Sequence, residues 1–71
     1  MRNVLTSTVK RWLDERGYGF IYNPEPGGKD LMIHHRNIIG KGRKTLREGQ
    51  RVEFEQLDTP KGLEAINVLC L

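Results

Sequence analysis

The sequence predicts an all-β fold, five short antiparallel strands closed into a small barrel, and three observations lead there. Apolar side chains recur with a period of two along five separate stretches, as in half-buried strands, and no stretch longer than about eight residues carries the 3.6-residue rhythm of a helix. Turn-forming Gly, Pro, Asn and Asp part these stretches. Finally, 71 residues make one domain (1–71), too small for two stacked sheets. Closing the single sheet on itself removes its exposed edges.

The elements follow in order. In the first strand Leu5, Ser7 and Val9 alternate with Thr6, Thr8 and Lys10, and Trp12 continues in phase with Lys10, opposite Val9. Asp14-Glu15-Arg16-Gly17 turns the chain into the second, where Tyr18 and Phe20 alternate with Gly17, Gly19 and Ile21. Asn23-Pro24-Glu25-Pro26-Gly27-Gly28 leads to the third, with Leu31 and Ile33 on one side and Met32 and His34 on the other. The connection from Arg36 to Gln50 is long for so small a domain, which implies a task or a short helical turn of its own. In the fourth strand Val52 and Phe54 alternate with Arg51, Glu53 and Glu55. Asp58-Thr59-Pro60-Lys61-Gly62 joins it to the fifth, where Ile66 and Val68 alternate with Ala65, Asn67 and Leu69. Leu5, Val9, Ile21, Leu31, Ile33, Ile38, Leu46, Val52, Phe54, Ile66 and Val68 form the expected core. The strand count fits the five-stranded Greek-key barrel of the OB type.

Composition narrows the function. Cys70 is the only cysteine, so no internal disulfide forms, and a reducing, cytoplasmic setting is expected. With His34 and His35 it falls short of a spaced zinc set, and neighbouring residues on a strand face opposite ways. The longest apolar run, Val68 to Leu71, is too short to cross a membrane or to serve as a signal core. Gly27-Gly28 precedes no helix that could cradle phosphate. No carboxylate pair, nucleophile–base set or metal cluster is visible, so neither enzymatic activity nor a cofactor is expected. The net charge is +3, unevenly spread. Residues 36–51 hold Arg36, Lys41, Arg43, Lys44, Arg47 and Arg51 against Glu48 alone, a local +5. Such a basic block suits a polyanion, although it could also be a solvated loop that keeps the protein soluble.

The orientation of strand two decides the rest. Tyr18 and Phe20 either fill the core or face solvent. Glycines on one face of a barrel strand permit bending and close backbone approach, which a tight interior needs. The core is already filled without the two rings. Lys10, Trp12, Tyr18, Phe20, Met32 and His34 are therefore expected on one open face. Rings interleaved with cations suit single-stranded nucleic acid, whose bases stack on π surfaces while cations meet phosphates.

Arg16-Gly17-Tyr18-Gly19-Phe20-Ile21 resembles the first ribonucleoprotein motif, and Leu31-Met32-Ile33-His34-His35 the second. With Val9-Lys10 ahead of them, Lys29-Asp30 between, and Leu46, Glu48-Gly49-Gln50, Val52, Phe54, Lys61-Gly62 and Asn67-Val68 behind, the chain from about Leu5 to Leu69 resembles a bacterial cold-shock protein or cold-shock domain. An RRM also uses these motifs, but in the reverse order and with two helices. The resemblance implies an OB barrel that binds single-stranded RNA and DNA with little sequence preference. It implies an RNA-chaperone-like or transcription- or translation-regulating role in the cold-shock response.

Four platform aromatics of the family are changed. Arg11 stands where a tryptophan is usual, with Trp12 next to it in place of phenylalanine; Met32, His35 and Arg43 replace three more aromatics. Arginine can still stack and pair with phosphate, methionine adapts, and histidine can stack or carry charge. The expected nucleic-acid-binding set is Lys10, Arg11, Trp12, Tyr18, Phe20, Met32, His34, His35, Arg43 and Lys61. The partner is single-stranded RNA or DNA, the chain a monomer or weak homodimer. The alternative is an OB-fold protein-interaction module with weakened nucleic-acid binding, which the four substitutions favour.

Overall fold

The computed structural model describes residues 4–40 and 44–71. Its strands are β1 (Val4–Leu13), β2 (Tyr18–Ile21), β3 (Leu31–His34), β4 (Arg51–Thr59) and β5 (Gly62–Cys70), with a 3-10 turn, His35–Asn37, after β3. They close into a barrel in the order β1-β2-β3-β5-β4, the OB-type all-β architecture. β1 serves two neighbours. Its first half pairs with β4, from Val4↔Glu55 to Thr8↔Arg51, and its second half pairs with β2, from Val9↔Ile21 to Leu13↔Tyr18. These ladders, and those of β2 with β3 and β4 with β5, are antiparallel. The closing pair, β3 with β5, is parallel and joins Met32 to Glu64 and Ile33 to Ala65.

The interior holds Val9, Ile21, Leu31, Ile33, Ile38, Leu46, Val52, Phe54, Ala65 and Val68, with Leu5, Trp12 and Leu63 packed against its margin. Tyr18 and Phe20 lie outside it. The long connection does carry a helical turn; beyond it Ile38 bridges to Val68, and Leu46 is buried. Both residues belong to the core, as expected.

Two bulges correct the simple alternation, because one extra residue sends the following side chains to the other face. The first lies at Lys10: Val9 pairs with Ile21, but Arg11 pairs with Phe20. Trp12 therefore sits opposite Gly19, on the core side, and not in phase with the open face. The second lies in β5, where Glu53 pairs with Leu69 but Glu55 with Ile66. Asn67 takes φ +50, a left-handed conformation Asn tolerates, and its amide Nδ2 donates to Glu55 Oε2 at 2.6 Å. Ala65 and Val68 both point inward as a result. Ile66, expected in the core, is only half-buried.

Candidate nucleic-acid interface

The outer face of β2 and β3 is built by register. Tyr18 pairs with His34 and Phe20 with Met32, so these four side chains share the side opposite Ile21, Leu31 and Ile33. All four are half-buried, each with part of its surface open to solvent. The Tyr18 and Phe20 centroids lie 6.1 Å apart at 83°, an edge-to-face contact that braces both rings. The Tyr18 and His34 rings are also 6.1 Å apart, tilted by 43°. Gly19 separates the rings on the inner side. A Cβ there would collide with the Arg11 carbonyl oxygen and lie 2.8 Å from Trp12 Cε3, so the close approach of β1 requires glycine.

Cations border this face. Arg11 is exposed beside its partner Phe20. Lys10, lifted out by the bulge, donates from Nζ to Asp30 Oδ2 at 2.8 Å and stands 5.6 Å from the Tyr22 ring centroid. The Asp30 hydrogen bond, and then its charge, raise the Lys10 ammonium above the ordinary lysine value of 10.5. At the other end an open groove of about 590 Å³ runs from Met32 and His34 to Lys61 and Gly62 in the β4–β5 hairpin, with Arg36 and Glu64 on its walls. His34 Nε2 lies 3.8 Å from Glu64 Oε1.

Lys10, Arg11, Tyr18, Phe20, Met32, His34 and Lys61 are thus gathered on or beside one surface. Trp12 and His35 are not on it. Trp12 packs behind Gly19, and its indole Nε1 donates to Asp14 Oδ1 at 3.1 Å. His35 opens the 3-10 turn and lies under Gly17, where a Cβ would come within 2.6 Å of its Cδ2; the φ of +71 there suits glycine as well. It lines a separate hollow with Asp14, Arg16 and Lys44. Arg43 lies outside the described residues. The described members of the basic block are dispersed: Arg36 faces the groove, whereas the Arg51 guanidinium donates to Thr8 Oγ1 and Thr6 Oγ1 across β1 and β4.

Sequence reasoning missed Glu64, Asp30 and Tyr22, and held Arg36 only as a member of the basic block. Glu64 could have been found only through the parallel β3–β5 pairing, which no local pattern reveals. Tyr22 carried a readable signal, since it extends the outward phase of Tyr18 and Phe20 by one step. Among the described residues no cluster of three or more His, Cys, Asp or Glu could hold a metal, and no helix is long and apolar enough to cross a membrane.

Residues 5–71 match the "Cold-shock" DNA-binding domain. The chain is 46% identical to cold shock-like protein CspG of Shewanella violacea over 71 residues, the whole of both chains. It is 50% identical to cold shock-like protein CspE of Escherichia coli over 67 residues, 94% of this chain and 96% of that one. Among solved structures, Drosophila Unr CSD456 superposes with a TM-score of 0.80 at 21% identity, covering 99% of this chain and 27% of that one, a likeness of fold.

Proposed function

The chain belongs to the cold-shock domain family of nucleic-acid-binding proteins, and from that premise we propose that it binds single-stranded RNA and DNA with low sequence specificity. One observation carries this reading: Tyr18, Phe20 and His34 lie on the outer face of the barrel with Lys10, Arg11 and Lys61 around them. Flat surfaces accept any base, each stack stabilising by about 1–3 kcal/mol, and the cations meet phosphates without reading sequence. Met32 supplies an adaptable apolar contact between the rings.

Only unpaired strands present free base faces. Binding them draws the folded–unfolded equilibrium of an RNA hairpin toward the open form by mass action, which is the chemistry of an RNA chaperone in a cold-shock response. The step consumes no nucleotide and uses no cofactor, and one chain suffices for it.

Replacement of platform aromatics by Arg11, Met32 and His35 favours a second reading, a barrel that docks another protein and binds nucleic acid weakly. Fluorescence anisotropy with a labelled oligothymidylate separates the two. Micromolar or tighter binding by the wild type, weakened at least about 30-fold in Tyr18→Ala/Phe20→Ala, is expected for the platform. Wild-type binding that the double variant leaves unchanged would exclude it.

A further inference from the structure

Among the described Phe, Tyr and Trp residues Tyr22 is the one exposed ring, with half its surface (50%) open. Scattered exposed apolar residues are ordinary on protein surfaces, so exposure alone says nothing. Three further features set this ring apart. Its backbone is pinned at both polar atoms: the amide donates to the Thr8 carbonyl at 3.1 Å, and the carbonyl accepts from the buried Ser7 hydroxyl at 2.6 Å. Its neighbour Ile21 points into the core, so Tyr22 faces outward in line with Phe20 and Tyr18. A cation is already stationed there, because Asp30 holds Lys10 Nζ 2.8 Å away and 5.6 Å from the ring centroid.

Successive outward residues along a strand are about 6.6–6.8 Å apart, too far for two bases stacked on each other at about 3.4 Å. Each ring of the row therefore serves its own base. We infer that Tyr22, with Lys10 beside it, forms an additional stacking position at the end of the platform away from His34, which takes one further nucleotide of a bound single strand. This rests on the single-strand-binding reading above. It also gives the chain a flat surface that partly replaces the rings missing at Arg11 and Met32.

The test is a ladder of labelled oligothymidylates, lengthened one nucleotide at a time, titrated at constant salt with the full chain and with Tyr22→Phe, Tyr22→Ile and Tyr22→Ala. Thermal melts of each variant report folding. Wild-type affinity should climb with length to a plateau, and Tyr22→Phe should follow it. Tyr22→Ile and Tyr22→Ala should match the wild type on the shortest oligonucleotides that bind. Their plateau should come about one nucleotide sooner, with the longest oligonucleotide bound about fivefold or more weakly. An unchanged plateau in a folded Tyr22→Ala that still binds overturns this inference alone. A loss spread evenly over all lengths also overturns it, since that reports a general disturbance of the sheet. Failure of the wild type to bind any oligonucleotide overturns the parent reading, and this one with it.

Discussion

Arg11 stands directly across from Phe20 in the β1–β2 ladder, so a guanidinium and not a ring flanks Phe20 on its β1 side. Arginine is always charged, stacks its planar face on a base and pairs with phosphate, so this position trades stacking area for charge. Arg11→Ala should weaken oligonucleotide binding and flatten the salt dependence, the slope of log K against log salt falling by about 0.7 for the one phosphate no longer neutralised. Arg11→Trp should also flatten that slope while holding or raising affinity. Anisotropy titrations at several salt concentrations check both; an Arg11→Ala slope equal to the wild type's would mean that Arg11 neutralises no phosphate.

Gly19 admits no side chain. Gly19→Ala would drive a methyl group into the Arg11 carbonyl and the Trp12 ring. Overpacking of this kind costs about 1–3 kcal/mol and more where backbone must move. In a domain with so small a core, urea denaturation should show a loss of at least about 2 kcal/mol. A melting curve like the wild type's would mean that β1 and β2 separate freely at this point.

Trp12 should prove structural first. It packs against the core from behind Gly19 and donates to Asp14, which also accepts the Thr45 hydroxyl at 2.6 Å. Trp12→Ala is expected to cost about 2 kcal/mol, below the range for a fully buried tryptophan. Trp12→Phe should bind oligonucleotide much as the wild type does, whereas Phe20→Ala should not. A larger affinity loss in a stable Trp12→Phe than in Phe20→Ala would return Trp12 to the binding surface.

The Lys10–Asp30 contact gives a pH prediction with a definite sign. Asp30 raises the folded-state value of Lys10 above 10.5, so the contribution of this protonation to stability is fully present below that ordinary value. It is lost only as pH climbs past the raised one. Around neutral pH, Lys10 should therefore stay charged and contribute no pH dependence. Proton-detected titration of the Lys10 side chain should show its midpoint moving down toward the ordinary value in Asp30→Asn. An unmoved midpoint would show that the ion pair is not formed in solution.

Strand positions and most of the interior were legible because apolar alternation is local: Val9, Ile21, Leu31, Ile33, Val52 and Phe54 all lie where the period of two puts them. The glycine argument for strand two also worked, since Gly19 does face inward and leaves Tyr18 and Phe20 outside. What alternation cannot show is a bulge. Lys10 and Asn67 each add one residue to a ladder, and the extra residue is recognisable only against the partner strand. Trp12 and Ile66, just past Lys10 and just before Asn67, are the residues misplaced by it. His35 escaped for a related reason: β3 ends one residue earlier, and the chain folds under Gly17 instead of continuing the strand.

The parallel contact between β3 and β5 has a consequence for the growing chain. Ile33 finds Ala65 thirty-two positions later, and nothing nearer in sequence closes that side of β3. At about 5–20 residues per second, a ribosome leaves the β3 edge of the β1–β2–β3 meander bare for a few seconds before its partner is made. During that interval the nascent half-barrel is open to pairing with another chain, and translation slowed by low temperature lengthens the wait.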